Sequence, residues 1–218
     1  FNQMLNRMET SFETQNNFIS NASHELRTPL TSIMGFADVS LSKPRSTEEY
    51  IETLKIILTE SEKLDKKTRA LLSLAQTGFN GKIQKFEPVR IDELIWDCIE
   101  TAKTLQPNVK INFDITLLPS NSAKLVVNGN AQLLILAFTN IISNAYKYSD
   151  NKLVTVSIAA THTHIITVIR DLGIGIPKSE IPYIYDPFYR CANSKKYEGY
   201  GIGLPLTRNI LAMHNGHI

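Results

Sequence analysis

Cysteine is scarce: Cys98 and Cys191 are the only two among 218 residues, and they lie far apart, without metal-ligand spacing or a disulfide pattern. A reducing compartment is expected, with the cytoplasm as the location. No apolar run approaches the ~20 residues of a membrane-spanning helix, and no signal peptide is visible. No Lys/Arg block stands out either. With 23 basic and 21 acidic residues the formal charge is only +2, which argues against nucleic acid as a main partner. Internal repeats and low-complexity tracts are absent. What remains, 43% hydrophobic and 20% charged, is the composition of an ordinary globular protein, long enough for one large domain or two small ones. The chain begins without methionine, already inside a helical pattern, and ends on Gly216-His217-Ile218 where a strand would start, so it is expected to be a piece of something longer.

Against these absences stands a long amphipathic pattern. Apolar residues recur at Leu5, Met8, Phe12, Ile19, Ala22, Leu26, Ile33 and Phe36, in steps that mark one stripe of a helix from about Asn2 to Ser42. At ~100° per residue, His24 lies about 160° from both Ala22 and Leu26 and points away from the packing stripe. Pro29 sits inside the helix, removes one backbone donor and is expected to bend it. After the break at Lys43-Pro44-Arg45-Ser46, Ser46 or Thr47 with Glu48 and Glu49 reads as a helix start. The second helix carries apolar Ile51, Leu54, Leu58, Leu64, Leu71, Leu72 and Ala75, with Glu60, Glu62, Lys63, Lys66, Lys67 and Arg69 as a charged face. One helical hairpin cannot bury two apolar stripes, so a homodimer through the two N-terminal helices, a four-helix bundle, is expected.

The pattern changes after Gly78. Residues 1–77 form the first domain, 78–85 a linker and 86–218 a second domain of short alternating elements, an α+β sandwich with helices on one face of a mixed sheet. Strands are expected at 86–90, 109–117, 124–127, 153–160 and 164–170, and helices at 91–105, 131–148 and 203–213.

Three stretches of the second domain carry chemistry. The helix Ala131–Tyr148 is apolar nearly all round except Asn140, Asn144 and Lys147, which share one face. Amide oxygens can ligate a hard divalent cation and a lysine can meet a phosphate, although a core or capping network would also use such a pair. Asp171-Leu172-Gly173-Ile174-Gly175-Ile176 follows a strand; its glycines would let backbone approach a flat ligand, its carboxylate would accept from an exocyclic amine, and alone it could be only a turn. Gly199-Tyr200-Gly201-Ile202-Gly203-Leu204 opens a helix, as a phosphate-binding loop or a hinge would.

In order along the chain stand His24-Glu25-x-x-Thr28-Pro29-Leu30, Asn140-x-x-x-Asn144-x-x-Lys147, Asp171-x-Gly173-x-Gly175, Asp186-Pro187-Phe188-Tyr189-Arg190 and Gly199-x-Gly201-x-Gly203-Leu204. This five-part series resembles the sensor histidine kinases of two-component signalling over essentially the whole chain. The resemblance implies an all-α dimerisation and histidine-phosphotransfer hairpin followed by a GHKL-type ATP-binding sandwich, shared with gyrase, mismatch-repair and chaperone ATPases. It implies ATP and Mg²⁺ as cofactors and a response regulator receiver domain as partner, and it suggests the cytoplasmic part of a membrane-anchored sensor. By matching position, His24 is the phosphoacceptor, Glu25 its neighbouring base and Thr28 a residue that orients water when the regulator is dephosphorylated. Asn140 and Asn144 surround Mg²⁺, Lys147 meets the phosphates, and Tyr148 and Asp171 meet the adenine, with Gly173, Gly175 and Ile176 beside it. Residues 186–199, including Arg190, form the mobile lid; Gly199, Gly201, Gly203 and Leu204 line the triphosphate.

The chain departs from the family pattern at Asn130, where aspartate is frequent, at Pro205 inside the last helix, and at His214-Asn215-Gly216; the family's final strands are not in the sequence. His162 and His164 are expected at a hairpin surface, His214 as a cap or packing residue, Cys98 in the core and Cys191 as an incidental lid residue. ATP-hydrolysing relatives carry glutamate where Asn140 stands, so histidine transfer is favoured over plain hydrolysis.

Overall fold

The computed structural model describes the backbone of residues 2–79, 85–150 and 152–218, and their side chains except those of residues 2–19, 21 and 73–79. The chain divides into two compact units, Phe1–Ser73 and Leu74–Ile218.

The first unit is made by α1 (Asn2–Leu41) and α2 (Thr47–Phe79). Ser46 starts α2 through a reciprocal capping box: its hydroxyl accepts from the Glu49 N–H at 3.2 Å, and the Glu49 carboxylate accepts from the Ser46 N–H at 2.8 Å. That backbone hydrogen bond holds the Glu49 carboxyl below its ordinary pKa. Arg45 closes the turn from the other side, donating through Nε and Nη2 to the Val39 carbonyl at 3.2 and 3.0 Å. Helix α1 runs through Pro29, which is buried. Glu25 and Lys67, equidistant in sequence from Ser46, form an ion pair of 2.8 Å, so the two helices run antiparallel.

The apolar stripes are only partly covered within one hairpin. Ala22, Leu26, Ile33 and Leu64 are half-buried and Leu71 is buried, but Phe36, Ile51, Leu54, Leu58 and Leu72 are exposed, with Leu54 at 62%. The side chains of Leu5, Met8, Phe12, Ile19 and Ala75, and most of the linker expected at 78–85, lie outside the described residues. Lys67 departs from expectation. It is not part of a solvated charged face; its side chain is 13% exposed and turned onto α1.

The second unit contains β1 (Glu87–Arg90), α3 (Ile91–Leu105), β2 (Ile111–Asp114), β3 (Val126–Gly129), α4 (Ala131–Tyr148), β4 (Val154–Ala160), β5 (Ile165–Arg170) and α5 (Gly203–Met213). The expected mixed sheet is β2–β4–β5, with β2 parallel and β5 antiparallel to β4, and among the described strands β1 and β3 form a separate antiparallel pair. Strand β2 is shorter than its apolar alternation suggests, because the Asp114 carboxylate accepts from the Thr116 N–H at 3.0 Å and a turn follows from Ile115 to Leu118. Lys124 and Leu125 belong to a short 3₁₀ turn capped by Asn121 rather than to β3.

The core forms where three apolar faces meet. Helix α3 buries Ile91, Leu94, Ile95, Cys98 and Ile99, and α4 buries Leu134, Ala137, Phe138, Ile142 and Ala145, both at helical spacing. Packed in the same core, β4 contributes Val154, Val156 and Ile158, each fully buried. Asn130 is the N-cap of α4, its side chain accepting from the Leu133 N–H at 3.0 Å, so the change from the family's aspartate keeps the same physical role. His214 stitches this start to the end of α5: Nε2 accepts from the Asn130 N–H at 2.9 Å while Nδ1 donates to the Ile210 carbonyl at 2.7 Å.

Candidate functional site

The C-terminal half of α4 is the platform on which the glycine motifs converge. Its buried face fixes the rotation of the helix, and the opposite polar face then presents Asn140, Asn144 and Lys147, all half-buried. The start of α5 packs against the first of them: a Cβ on Gly203 would sit 3.7 to 3.9 Å from the Asn140 side chain. Gly199 lies against the third, where a Cβ would come within 2.9 Å of Lys147 Nζ. The Asp171–Gly175 loop docks on the last turn of α4. Ile174 N–H donates to the Tyr148 carbonyl at 3.1 Å, and a Cβ on Gly173 would meet that same carbonyl oxygen at 2.5 Å. Only glycine permits this approach.

Asp171 is exposed, and one of its oxygens accepts from the Gly173 N–H at 2.8 Å, which orients the carboxylate while leaving it acceptor capacity. Ile176 is exposed and Leu204 half-buried. Gly201 adopts φ +68° and packs against the Phe188–Tyr189 backbone, whose Phe188 N–H donates to the Gly201 carbonyl at 2.9 Å.

Electrostatically the site is short of an anion. Burial, then the nearby Arg190 guanidinium, push the Lys147 pKa below its ordinary value, with Glu198 opposing them. Arg190 donates through Nη2 to the carbonyls of Ser194 and Tyr197. Among the described residues, two buried side-chain nitrogens have no hydrogen-bond partner, Asn140 Nδ2 and Arg190 Nε. Buried donors without partners are costly unless a ligand completes them. A phosphate chain fits this donor set. The amide oxygens of Asn140 and Asn144 suit a hard divalent cation.

The segment between the glycine motifs is held at several points. Glu180 accepts from the Tyr189 hydroxyl and from the Ala192 N–H, both at 3.1 Å, and Asn193 donates to the Gly175 carbonyl at 3.1 Å. Tyr197 packs edge-on against Tyr148, ring centroids 5.1 Å apart, and donates to Asp150 at 2.7 Å. That hydrogen bond, assisted by Lys196, holds the Asp150 carboxyl below its ordinary range. These anchors escaped the sequence reading because nothing in the spacing of Glu180, Tyr197 and Asp150 marks them as partners. Burial raises the Cys191 thiol pKa, which keeps the thiol protonated and unreactive.

His24, Glu25 and Thr28 belong to the other unit. His24 is exposed in the middle of α1, and the Thr28 hydroxyl, also exposed, donates back to the His24 carbonyl at 3.2 Å. Glu25 is half-buried and paired with Lys67, a residue that sequence reasoning left among the solvated charges.

Comparison with known proteins matches two stretches of the chain to known domain families. Residues 129–218 match the family of histidine kinase-, DNA gyrase B- and HSP90-like ATPases, and residues 14–78 match the His Kinase A phospho-acceptor domain. The chain is 34% identical over 223 residues to the signal transduction histidine-protein kinase ArlS of Staphylococcus haemolyticus, covering all of this chain and 48% of that protein. It is 31% identical over 225 residues to the probable sensor kinase SilS of Salmonella typhimurium, covering all of this chain and 44% of SilS. The chain thus spans a little under half the length of these curated relatives. The fold is similar to that of histidine kinase ThkA, solved in complex with response regulator protein TrrA, with a TM-score of 0.70 at 17% identity over 95% of this chain and 57% of that one. With a phospho-acceptor helix pair and a GHKL-type ATP-binding domain in one polypeptide, the chain belongs to the sensor histidine kinase family.

Proposed function

We propose that the chain is an ATP-dependent protein-histidine kinase that autophosphorylates on His24 and passes the phosphoryl group to an aspartate of a response regulator receiver domain. The observation that carries this reading is one face of α4, which holds the orphaned Asn140 amide against the start of α5 and Lys147 against Gly199, with the Arg190 guanidinium near that lysine. Phosphoryl transfer asks a protein mainly for positioning and charge neutralisation, which is what this face of α4 offers. Asn140 and Asn144 would hold Mg²⁺, which when bound supplies further neutralisation of the phosphate charge. The lone pair of one His24 ring nitrogen forms the new N–P bond, the bond from the γ-phosphorus to its bridging oxygen breaks with its electrons left on ADP, and Glu25 takes or holds the proton of the other nitrogen.

The exposed apolar positions Leu30, Met34, Leu54, Leu58 and Leu72 support a homodimer, since a second hairpin would cover them as a four-helix bundle. A regulator partner follows from the same reading, and ThkA, whose fold this chain shares, was solved with one. Thr28, one helical turn beyond His24, is the residue for dephosphorylating that regulator. Two free cysteines suit a cytoplasmic location, and no helix among the described residues is long and apolar enough to cross a membrane.

Incubation with γ-labelled ATP and Mg²⁺ should leave label on the protein that is lost in acid and survives base, as a phosphoramidate does. ATP turnover with no labelled protein would transfer the chain to the hydrolysing branch of the ATPase superfamily. A second expectation concerns pH. Because the Lys147 pKa lies below the ordinary 10.5, its ammonium is lost at lower pH than that of a typical lysine, and ATP affinity falls as pH rises through that depressed value. Burial raises the Tyr148 pKa above the ordinary 10.0, so its phenol stays neutral longer. Titration calorimetry should show the alkaline loss beginning below pH 10.5, and Lys147→Arg should remove it; a flat profile in the parent protein contradicts the role of Lys147.

A further inference from the structure

Pro29 has no N–H, so the carbonyl four residues before it, that of Glu25, loses its normal helical donor. The structure supplies another. Lys67 Nζ, on α2, donates to the Glu25 carbonyl at 3.1 Å and to the Glu25 carboxylate at 2.8 Å. The Lys67 side chain is 13% exposed and the Glu25 side chain 44%, so the ammonium lies inside the hairpin while the carboxylate reaches its surface. One cation therefore grips the backbone and the side chain of the residue next to His24.

We propose that Lys67 is a positioning residue for Glu25, fixing the carboxylate through the carbonyl that Pro29 leaves open, and that the phosphorylation rate of His24 depends on this grip. The inference rests on the phosphotransfer reading above. A carboxylate with one oxygen held by an ammonium, and its main chain held by the same group, has few rotamers left. Its remaining lone pairs are then held in one orientation. Proline inside the helix thereby has a consequence for the histidine: it leaves open the acceptor that holds a lysine of the neighbouring helix at the level of His24.

The test compares rates of autophosphorylation in the full chain with Mg·ATP. Lys67→Met should lower kcat about tenfold, less than the ~10² expected for loss of the base itself, with the KM for ATP unchanged. Lys67→Arg should recover most of the rate. Lys67→Gln, which can still donate to the carbonyl but carries no charge, should fall between the two. The decisive measurement is the double variant Glu25→Gln/Lys67→Met. If Lys67 acts through Glu25, it labels no more slowly than Glu25→Gln alone. Multiplicative loss in the double variant, or parental kcat in Lys67→Met, overturns the proposal. Should Lys67→Met fail to fold, Lys67→Gln in the same cycle decides by the same criteria. Absence of label from the parent chain would instead remove the kinase reading, so the two failures are distinct.

Discussion

Replacement of His24 by alanine is expected to abolish phosphorylation, leaving no acid-labile label above background. The side chain is exposed on the middle of α1, and alanine is the best helix former, so the hairpin should keep its stability. Of the other four histidines, His214 is taken up by hydrogen bonds, and His162, His164 and His217 are exposed on the second unit rather than beside a glutamate on α1. His214 already uses both ring nitrogens, Nδ1 as donor to Ile210 and Nε2 as acceptor from Asn130, and so presents no lone pair for attack. His162 and His164 lie at the β4–β5 turn, where His164 Nδ1 is 2.7 Å from the Thr163 hydroxyl. Glu25→Gln should be milder, slowing labelling by about 10²-fold, because a base assists the reaction while the histidine receives its product. Time courses with γ-labelled ATP separate the outcomes. Residual stable labelling in His24→Ala would assign the acceptor elsewhere.

The second large effect is expected at Gly201. Its φ of +68° already disfavours any residue with a Cβ, and a Cβ built there meets the Tyr189 carbonyl oxygen as well as Phe188 C at 2.7 Å and Phe188 O at 2.9 Å. These neighbours are backbone and cannot rotate away. Phe188 itself stands at φ +70°, so this junction already holds a non-glycine residue in a left-handed conformation. Gly201→Ala should break the Phe188–Gly201 hydrogen bond, release the segment carrying Arg190, and weaken Mg·ATP binding at least tenfold, about 1.4 kcal/mol or more. Calorimetry gives the affinity, and accelerated hydrogen exchange at the Phe188 amide locates the cause. Unchanged affinity with a fast-exchanging Phe188 would show that this junction does not govern nucleotide binding.

Several elements were legible because their signals are local. The helix start at Ser46 or Thr47, the extents of α3 and α4, and the glycine-opened start of α5 each show within a few turns of chain. The polar face of Asn140, Asn144 and Lys147 is likewise a matter of helical period. Less legible was the sheet arrangement. Alternation identifies a strand but not its partner, and Asp114 ends β2 through a hydrogen bond to its own backbone two residues on.

By itself the sequence determined two kinds of unit, a long helical hairpin and a short-element α+β domain, and the order of five motifs along them. Period, capping and glycine placement are properties of neighbouring residues, so a linear text contains them. Only the tertiary structure decided that Gly199 meets Lys147, that Asn140 Nδ2 and Arg190 Nε are buried without partners, and that Lys67 leaves the charged face of α2 to hold Glu25. Those outcomes depend on which surfaces become buried and which backbone groups are left unpaired across tens of residues. Burial and pairing at such range are settled when the helices and strands pack together.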